Sequence, residues 1–141
     1  MKDILEFSGE NRYLSNFYPC NVTYNNIDFA SVEAAFVAAK TLSVTTQLYI
    51  SSLKPYEAKK YGRMIELRPD WNTYRLEAME FLLRQKFEKN SELGNKLEAT
   101  GDSLLVEGNW WHDTFWGVCN GFGENNLGKL LMKIREELKN D

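Results

Sequence analysis

Histidine and cysteine are nearly missing from this 141-residue chain, which has one His, His112, and two distant Cys, Cys20 and Cys119, without a CxxC pairing. That scarcity argues against a zinc site built from nitrogen and sulfur ligands, which needs three or four such side chains. It also argues against a disulfide-stapled scaffold, so the thiols read as reduced and buried or spare, in a reducing compartment, with one disulfide left open. No metal or cofactor is expected, although the carboxylates leave a hard cation open. Long apolar runs are lacking too. Nothing approaches the ~18 residues of a bilayer span, and the opening MKDILEFSGENRYLSNF has no signal-peptide core. The expectation is a soluble, cytoplasmic protein with no membrane partner. A cationic surplus is also absent: the net charge of −3 argues against a long duplex-binding surface, while leaving room for local anions.

Two familiar constellations are missing as well. His112 has no spaced partner for a Ser or Cys triad. Gly121, Gly123 and Gly128 match neither a Walker loop nor a dinucleotide fingerprint.

What the chain does contain is enough apolar material, 43% of residues, for one real core at this length, so a single domain over residues 1–141 is expected. Aromatics are plentiful at 13%, with four Trp and seven Tyr, more than a core of this size requires. Residues 3–7 read as a short strand, and Val22 to Phe29 alternates around Asn25-Asn26, a pair that tolerates the positive φ of a hairpin turn. From Ser31, a candidate cap, the apolar residues recur at helical spacing to about Leu42. Residues 45–62 read as helix, broken at Pro55 and closed by Gly62. Asp70 is placed to cap the longest helix, whose stripe is Leu76, Met79, Leu82, Leu83 and Phe87. A shorter helix follows from Ser91 to Ala99, then a buried strand from Ser103 to Glu107. The stretch GNWWHDTFWGVCNGFGEN, residues 108–125, has no period, and long irregular segments in compact domains are often functional. A last helix carries Leu127, Leu130, Leu131, Ile134 and Leu138 on one face.

Several polar residues stand where packing alone would not ask for them. Glu33 and Lys40, seven apart, lie two turns from each other at the edge of the apolar stripe and can face one pocket. The plainer reading has Glu33 favouring the helix dipole and Lys40 extending into water. Lys86 places its stem on the stripe of the long helix, where its partner is an anion or, on the plainer reading, water reached by extending along the stripe. Trp71 opens that helix and reads equally as a stacking surface or a core residue. Glu33, Glu107 and Asp113 lie on separate elements. If they converge, repulsion and burial raise at least one pKa, which suits acid or base work.

Taken in order, these stretches resemble the YbiA-like N-glycosidases of the NADAR superfamily. The match runs through Tyr13-Leu14-Ser15-Asn16-Phe17, Ser31-Val32-Glu33 with Lys40, Gly62-Arg63, and Leu67-Arg68-Pro69-Asp70-Trp71. It continues through Lys86-Phe87, Ala99-Thr100-Gly101-Asp102, Leu105-Val106-Glu107, Asp113 with Trp116-Gly117, and Asn126-Leu127-Gly128 leading to Leu131-Met132 and Arg135. The resemblance implies an α+β fold, mainly helical with a few short strands, and a metal-independent hydrolase of N-ribosides. It implies catalytic roles for Glu33, Trp71 and Asp113. Arg12, Asn16, Lys40, Arg63, Lys86, Glu107 and Trp116 are then candidates for substrate binding. The implied substrate is a phosphorylated riboside, either a phosphoribosyl intermediate of riboflavin synthesis or an ADP-ribose conjugate, with no obligate protein partner. Two alternatives stand beside it: removal of ADP-ribose from modified guanine in nucleic acid, and a non-catalytic module that binds an ADP-ribose or NAD-derived nucleotide. The chain departs from the family pattern at Ala34 and Val37, where His and Gln are common, and at Val118-Cys119-Asn120, where a more glycine-rich run is common.

Overall fold

The computed structural model describes residues 2–140. It is α+β and mainly helical. In chain order it comprises a 3-10 turn Gly9–Leu14, strands β1 (Pro19–Tyr24) and β2 (Ile27–Ser31), and helices α1 (Val32–Ala39), α2 (Val44–Ile50), α3 (Pro55–Tyr61), α4 (Trp71–Lys86) and α5 (Glu92–Ala99). Two-residue strands β3 (Gly108–Asn109) and β4 (Val118–Cys119) and helix α6 (Asn126–Asn140) complete it. The chain divides into two compact units, Asn16–Lys86 and Met1–Ser15 with Phe87–Asp141. Among the described residues no helix is long and apolar enough to cross a membrane.

In the Asn16–Lys86 unit, β1 and β2 form the expected antiparallel hairpin, with Tyr24 paired to Ile27. Asn25 and Asn26 both take positive φ, 52° and 62°, as a two-residue turn matched to strand twist demands. Ser31 ends β2 and caps α1, its hydroxyl accepting the Ala34 amide at 3.1 Å. The helix it starts has no simple stripe. Every residue of α1 except Glu33 is buried, because the hairpin, α2, α3 and α4 all pack on it. Its alanines permit that crowding, and so does Gly62 just past α3, where an added Cβ would lie 2.9 Å from a Val37 methyl. Pro55 opens α3, where its missing N–H costs nothing.

Two expectations for α4 need correction. Asp70 precedes the helix, but its carboxylate is taken by Arg68, with Nε at 2.6 Å and Nη2 at 3.1 Å; only its carbonyl serves the first turn, accepting the Thr73 and Tyr74 amides. Leu76 is exposed, and the buried face is Trp71, Ala78, Met79, Leu82, Leu83 and Lys86, with Phe87 just beyond.

In the other unit, Ser91 caps α5 through the Gly94 amide, and α6 buries Leu127, Leu131, Ile134 and Leu138 as expected, while Leu130, expected on the same face, is half-buried. The strands expected at residues 3–7 and 103–107 shrink to one parallel bridge between Ile4 and Leu105. Side chains occupy the neighbouring ladder positions: Asp3 accepts the Leu104 amide at 3.0 Å, and Asn125 both accepts the Glu107 amide and donates to the Leu105 carbonyl, each at 2.9 Å. The irregular stretch 108–125 carries β3 and β4, paired in parallel with Gly108 opposite Val118.

Candidate functional site

Helix α1 presents a half-buried carboxylate on an otherwise buried surface. The Glu33 amide donates to the Asn16 carbonyl at 3.0 Å, which ties the first turn of the helix to the start of the unit. Lys40, the C-terminal cap of α1, is half-buried. Burial pushes its ammonium pKa below the ordinary value and the Glu33 carboxylate opposes that, while Arg63 and Lys59 add to the lowering. Glu33 and Lys40 therefore feel one another across two turns, with two further cations close by. Lys59 had not been singled out from the sequence. Its signal was its place in the basic Lys59-Lys60 pair four residues before Arg63.

The Lys40 carbonyl accepts the Arg68 amide at 2.7 Å and so anchors the turn that delivers Trp71. The indole is 7% exposed, wedged with Phe36 at 5.0 Å and Tyr74 at 6.4 Å between ring centroids. It forms a fixed wall rather than a free stacking platform. The Asn16 amide is buried; its Nδ2 donates to the Met79 sulfur at 3.6 Å, and its Oδ1 accepts no hydrogen bond. Buried polar atoms nearly always find partners, so this acceptor is an exception within the unit. At the far end of α4, Lys86 is buried with Nζ 5.8 Å from the centre of the Tyr18 ring. Burial lowers its pKa to about 8, against an opposing influence of the Cys20 thiol.

A second polar group lies on the same unit, over the opposite end of the hairpin. The Arg68 guanidinium stacks 4.0 Å from the Tyr74 ring and donates to the Tyr24 hydroxyl at 3.4 Å; Tyr24 and Tyr74 share a hydroxyl hydrogen bond of 2.9 Å. Burial first, and then the Tyr74 hydroxyl, hold Tyr24 up at about 12, so this phenol keeps its proton.

Arg12, Glu107, Asp113 and Trp116 belong to the other unit. Arg12 is exposed in the 3-10 turn. Of the three acids, the structure brings Glu107 and Asp113 together through Asn109. The Asn109 amide donates to the Glu107 carboxylate at 3.1 Å and to the Asp113 carbonyl at 2.9 Å, while its own oxygen accepts the Asp113 amide at 3.0 Å. Asp113 spends Oδ1 on the amides of Phe115 and Trp116, at 3.2 and 2.9 Å, which shapes the turn into Trp116-Gly117. Gly117 passes so close to Glu107 that an added Cβ would fall 1.9 Å from its Oε2 and 2.1 Å from its carbonyl oxygen. Asn109 was not anticipated, because an Asn in an aperiodic stretch gives no pattern to read. Nor was the contact of His112, at φ 67°, with the Cys119 sulfur at 3.8 Å. Among the described residues no three His, Cys, Asp or Glu side chains gather as metal ligands.

Comparison with known proteins bears directly on this arrangement. A family model described as the NADAR domain matches residues 6–139, which takes in both units. An N-glycosidase of Nostoc punctiforme is 35% identical over 134 residues, covering 89% of this chain and 85% of that protein. A riboflavin biosynthesis protein of Vibrio vulnificus is 38% identical over 133 residues; the match covers 90% of this chain but only 35% of that longer relative. The NMR structure of the Escherichia coli protein YbiA superposes with a TM-score of 0.85 at 32% identity, covering 99% of this chain and 87% of that one.

Proposed function

The chain belongs to the NADAR family, and from that premise we propose that it hydrolyses the N-glycosidic bond of a phosphorylated riboside, with Glu33 as the reacting carboxylate. Its kinship with proteins named N-glycosidases, over about four fifths of their length, makes it a hydrolase of N-glycosyl bonds; the riboside and the residue roles are the proposal. Breaking a C1′–N bond develops positive charge on the ribose, and an enzyme accelerates that step by holding a carboxylate where the charge appears. Glu33 has the placement for this role, as the single residue of α1 that the surrounding elements leave unburied. That observation carries the reading.

The cations around it suit the rest of the substrate. Arg63 and Lys59 both lie close enough to act on Lys40 electrostatically, an arrangement that a phosphate would relieve. In this mechanism Glu33 stabilises the ribosyl cation or activates water. Asn16, whose backbone carbonyl accepts the Glu33 amide, steadies the turn that carries the carboxylate, and Trp71 walls the leaving group. Lys40, Arg63 and Lys86 hold anionic oxygens. Arg12, Glu107, Asp113 and Trp116 are proposed to serve the same reaction on the strength of the family motifs. Asp113 would contribute Oδ2, since its Oδ1 is engaged by two amides.

Glu33→Gln keeps the shape and removes the charge. We expect turnover to fall by about 10²-fold or more with the melting temperature unchanged; near-normal turnover refutes the assignment. Mass-monitored incubation with phosphoribosyl riboflavin precursors and with ADP-ribosylated guanine oligonucleotides identifies the substrate. Tight binding with both left intact would favour a non-catalytic module.

A further inference from the structure

Beyond Trp71 along the same helix, a groove of about 540 Å³ opens between α4, the hairpin tip and α2. Tyr74, Glu77 and Phe81 line it at i, i+3 and i+7, one face of α4. Tyr24 and Arg68 meet them from the hairpin and from the turn before α4, and Leu42 lies on the wall. Three features point to a ligand. Phe81 is 53% exposed and Leu42 64% exposed, so two apolar side chains stand open to water in a concavity. The Phe81 ring meets the edge of Tyr24 at 6.5 Å and is fixed in orientation. The hydroxyls carry a spare proton: Tyr24 accepts from Arg68, and Tyr24 and Tyr74 share one hydrogen bond that uses only one of their two protons, so the other is left for an outside acceptor. Opposite in character is the exposed Glu77 carboxylate, an acceptor one helical turn away.

The groove therefore offers a flat apolar surface, one hydrogen-bond donor and one anionic acceptor. We propose that it binds an amino-substituted nitrogen heterocycle such as a nucleobase. The ring stacks on Phe81, the exocyclic amine donates to Glu77, and a ring nitrogen or carbonyl accepts from the Tyr24–Tyr74 pair. Stacking on an aromatic side chain supplies affinity whichever base is offered, while the donor–acceptor pair selects bases that carry an amine. None of the groove's lining residues is among those assigned to the chemistry of Glu33, so the proposal does not depend on the hydrolase reading.

The test uses the full chain, titrated with adenosine and with purine riboside, the same nucleoside without the amine. Amide chemical shifts of Tyr74, Glu77 and Phe81 are followed by NMR. Adenosine should perturb these residues and bind at least fivefold more tightly than purine riboside. Phe81→Ala should weaken both nucleosides about tenfold. Glu77→Gln should reduce the preference for the amine, because the amide oxygen is an uncharged and weaker acceptor. Glu33→Gln should leave this binding unchanged, which separates it from binding at the candidate active site. Both Phe81 and Glu77 are exposed, so the variants should fold, and their spectra verify it. The proposal is overturned if adenosine leaves the three residues unperturbed, if the two nucleosides bind equally to the unmodified chain, or if neither Phe81→Ala nor Glu77→Gln alters binding.

Discussion

Replacing Lys86 by Met should make the protein more stable while making it a poorer binder of its anionic substrate. Lys86 is 4% exposed, and burial lowers its pKa from 10.5 to about 8. At 1.36 kcal/mol per pH unit, that lowering corresponds to about 3 kcal/mol of cost to the charged form. The nearby Cys20 supplies no relief at neutral pH, because burial pushes its thiol pKa up and it stays uncharged. Below pH 8 the lysine is protonated in both folded and unfolded chains, so the penalty is felt in full. Between about 8 and 10.5 the folded chain gives up its proton first, the unfolded chain holds more protons, and stability rises with pH. Above that window both forms are neutral and the penalty is gone. Met has nearly the same length and no charge, so Lys86→Met should gain about 1–3 kcal/mol at pH 7, a rise in Tm of roughly 4–10 °C. Its advantage should fade as pH climbs from 8 to 10.5. Thermal melts of both proteins at steps of pH measure this directly. A variant less stable than the parent at pH 7, or two parallel pH profiles, would refute the reasoning. The functional half is a raised KM with little change in kcat, as expected for a residue that holds a phosphate instead of reacting.

Gly117→Ala forces a methyl group to within 2.1 Å of the Glu107 carbonyl oxygen. Backbone cannot yield cheaply, so a loss of about 3 kcal/mol is expected, read as a Tm drop of roughly 10 °C; an unchanged Tm would show that the turn has slack. Ser31→Ala removes the hydroxyl that accepts the Ala34 amide and should cost about 1 kcal/mol. It should also lower kcat, because the first turn it secures carries Glu33. A stability loss without any change in kcat would detach the cap from the site.

Local chemistry made much of this fold readable. Asn25-Asn26 announces its turn because few other residues accept positive φ. Ser31, Pro55 and Ser91 mark helix starts, since an exposed amide turn needs an acceptor or a residue without an N–H. What failed depended on partners distant in sequence. The segments around Ile4 and Leu105 have strand-like composition. Yet Asp3 and Asn125 take over their hydrogen bonds, and no pattern within either segment records that. Asp70 has the chemistry of a cap, but Arg68 two residues earlier offers its carboxylate a charged fork, a stronger partner than a neutral amide. In the site, the Glu33–Lys40 relation followed from helix geometry. The Glu107–Asn109–Asp113 group did not, because no periodicity governs a stretch whose shape is set by side-chain bonds to its own backbone.

Ala34 and Val37, two of the positions where the chain departs from the motifs it resembles, lie on α1. Both are buried, so neither presents a polar group to a ligand. Val37 instead receives Gly62, whose missing Cβ lets the end of α3 press against α1. Lys59 lies on α3 and Arg63 directly follows Gly62, and both act on Lys40. The charge pattern around Glu33 is thus set partly by apolar packing behind it. A side chain larger than Val at 37, or any Cβ at 62, would hold α3 away and loosen the cations from Lys40. The charge around Glu33 would then change without any charged residue being altered.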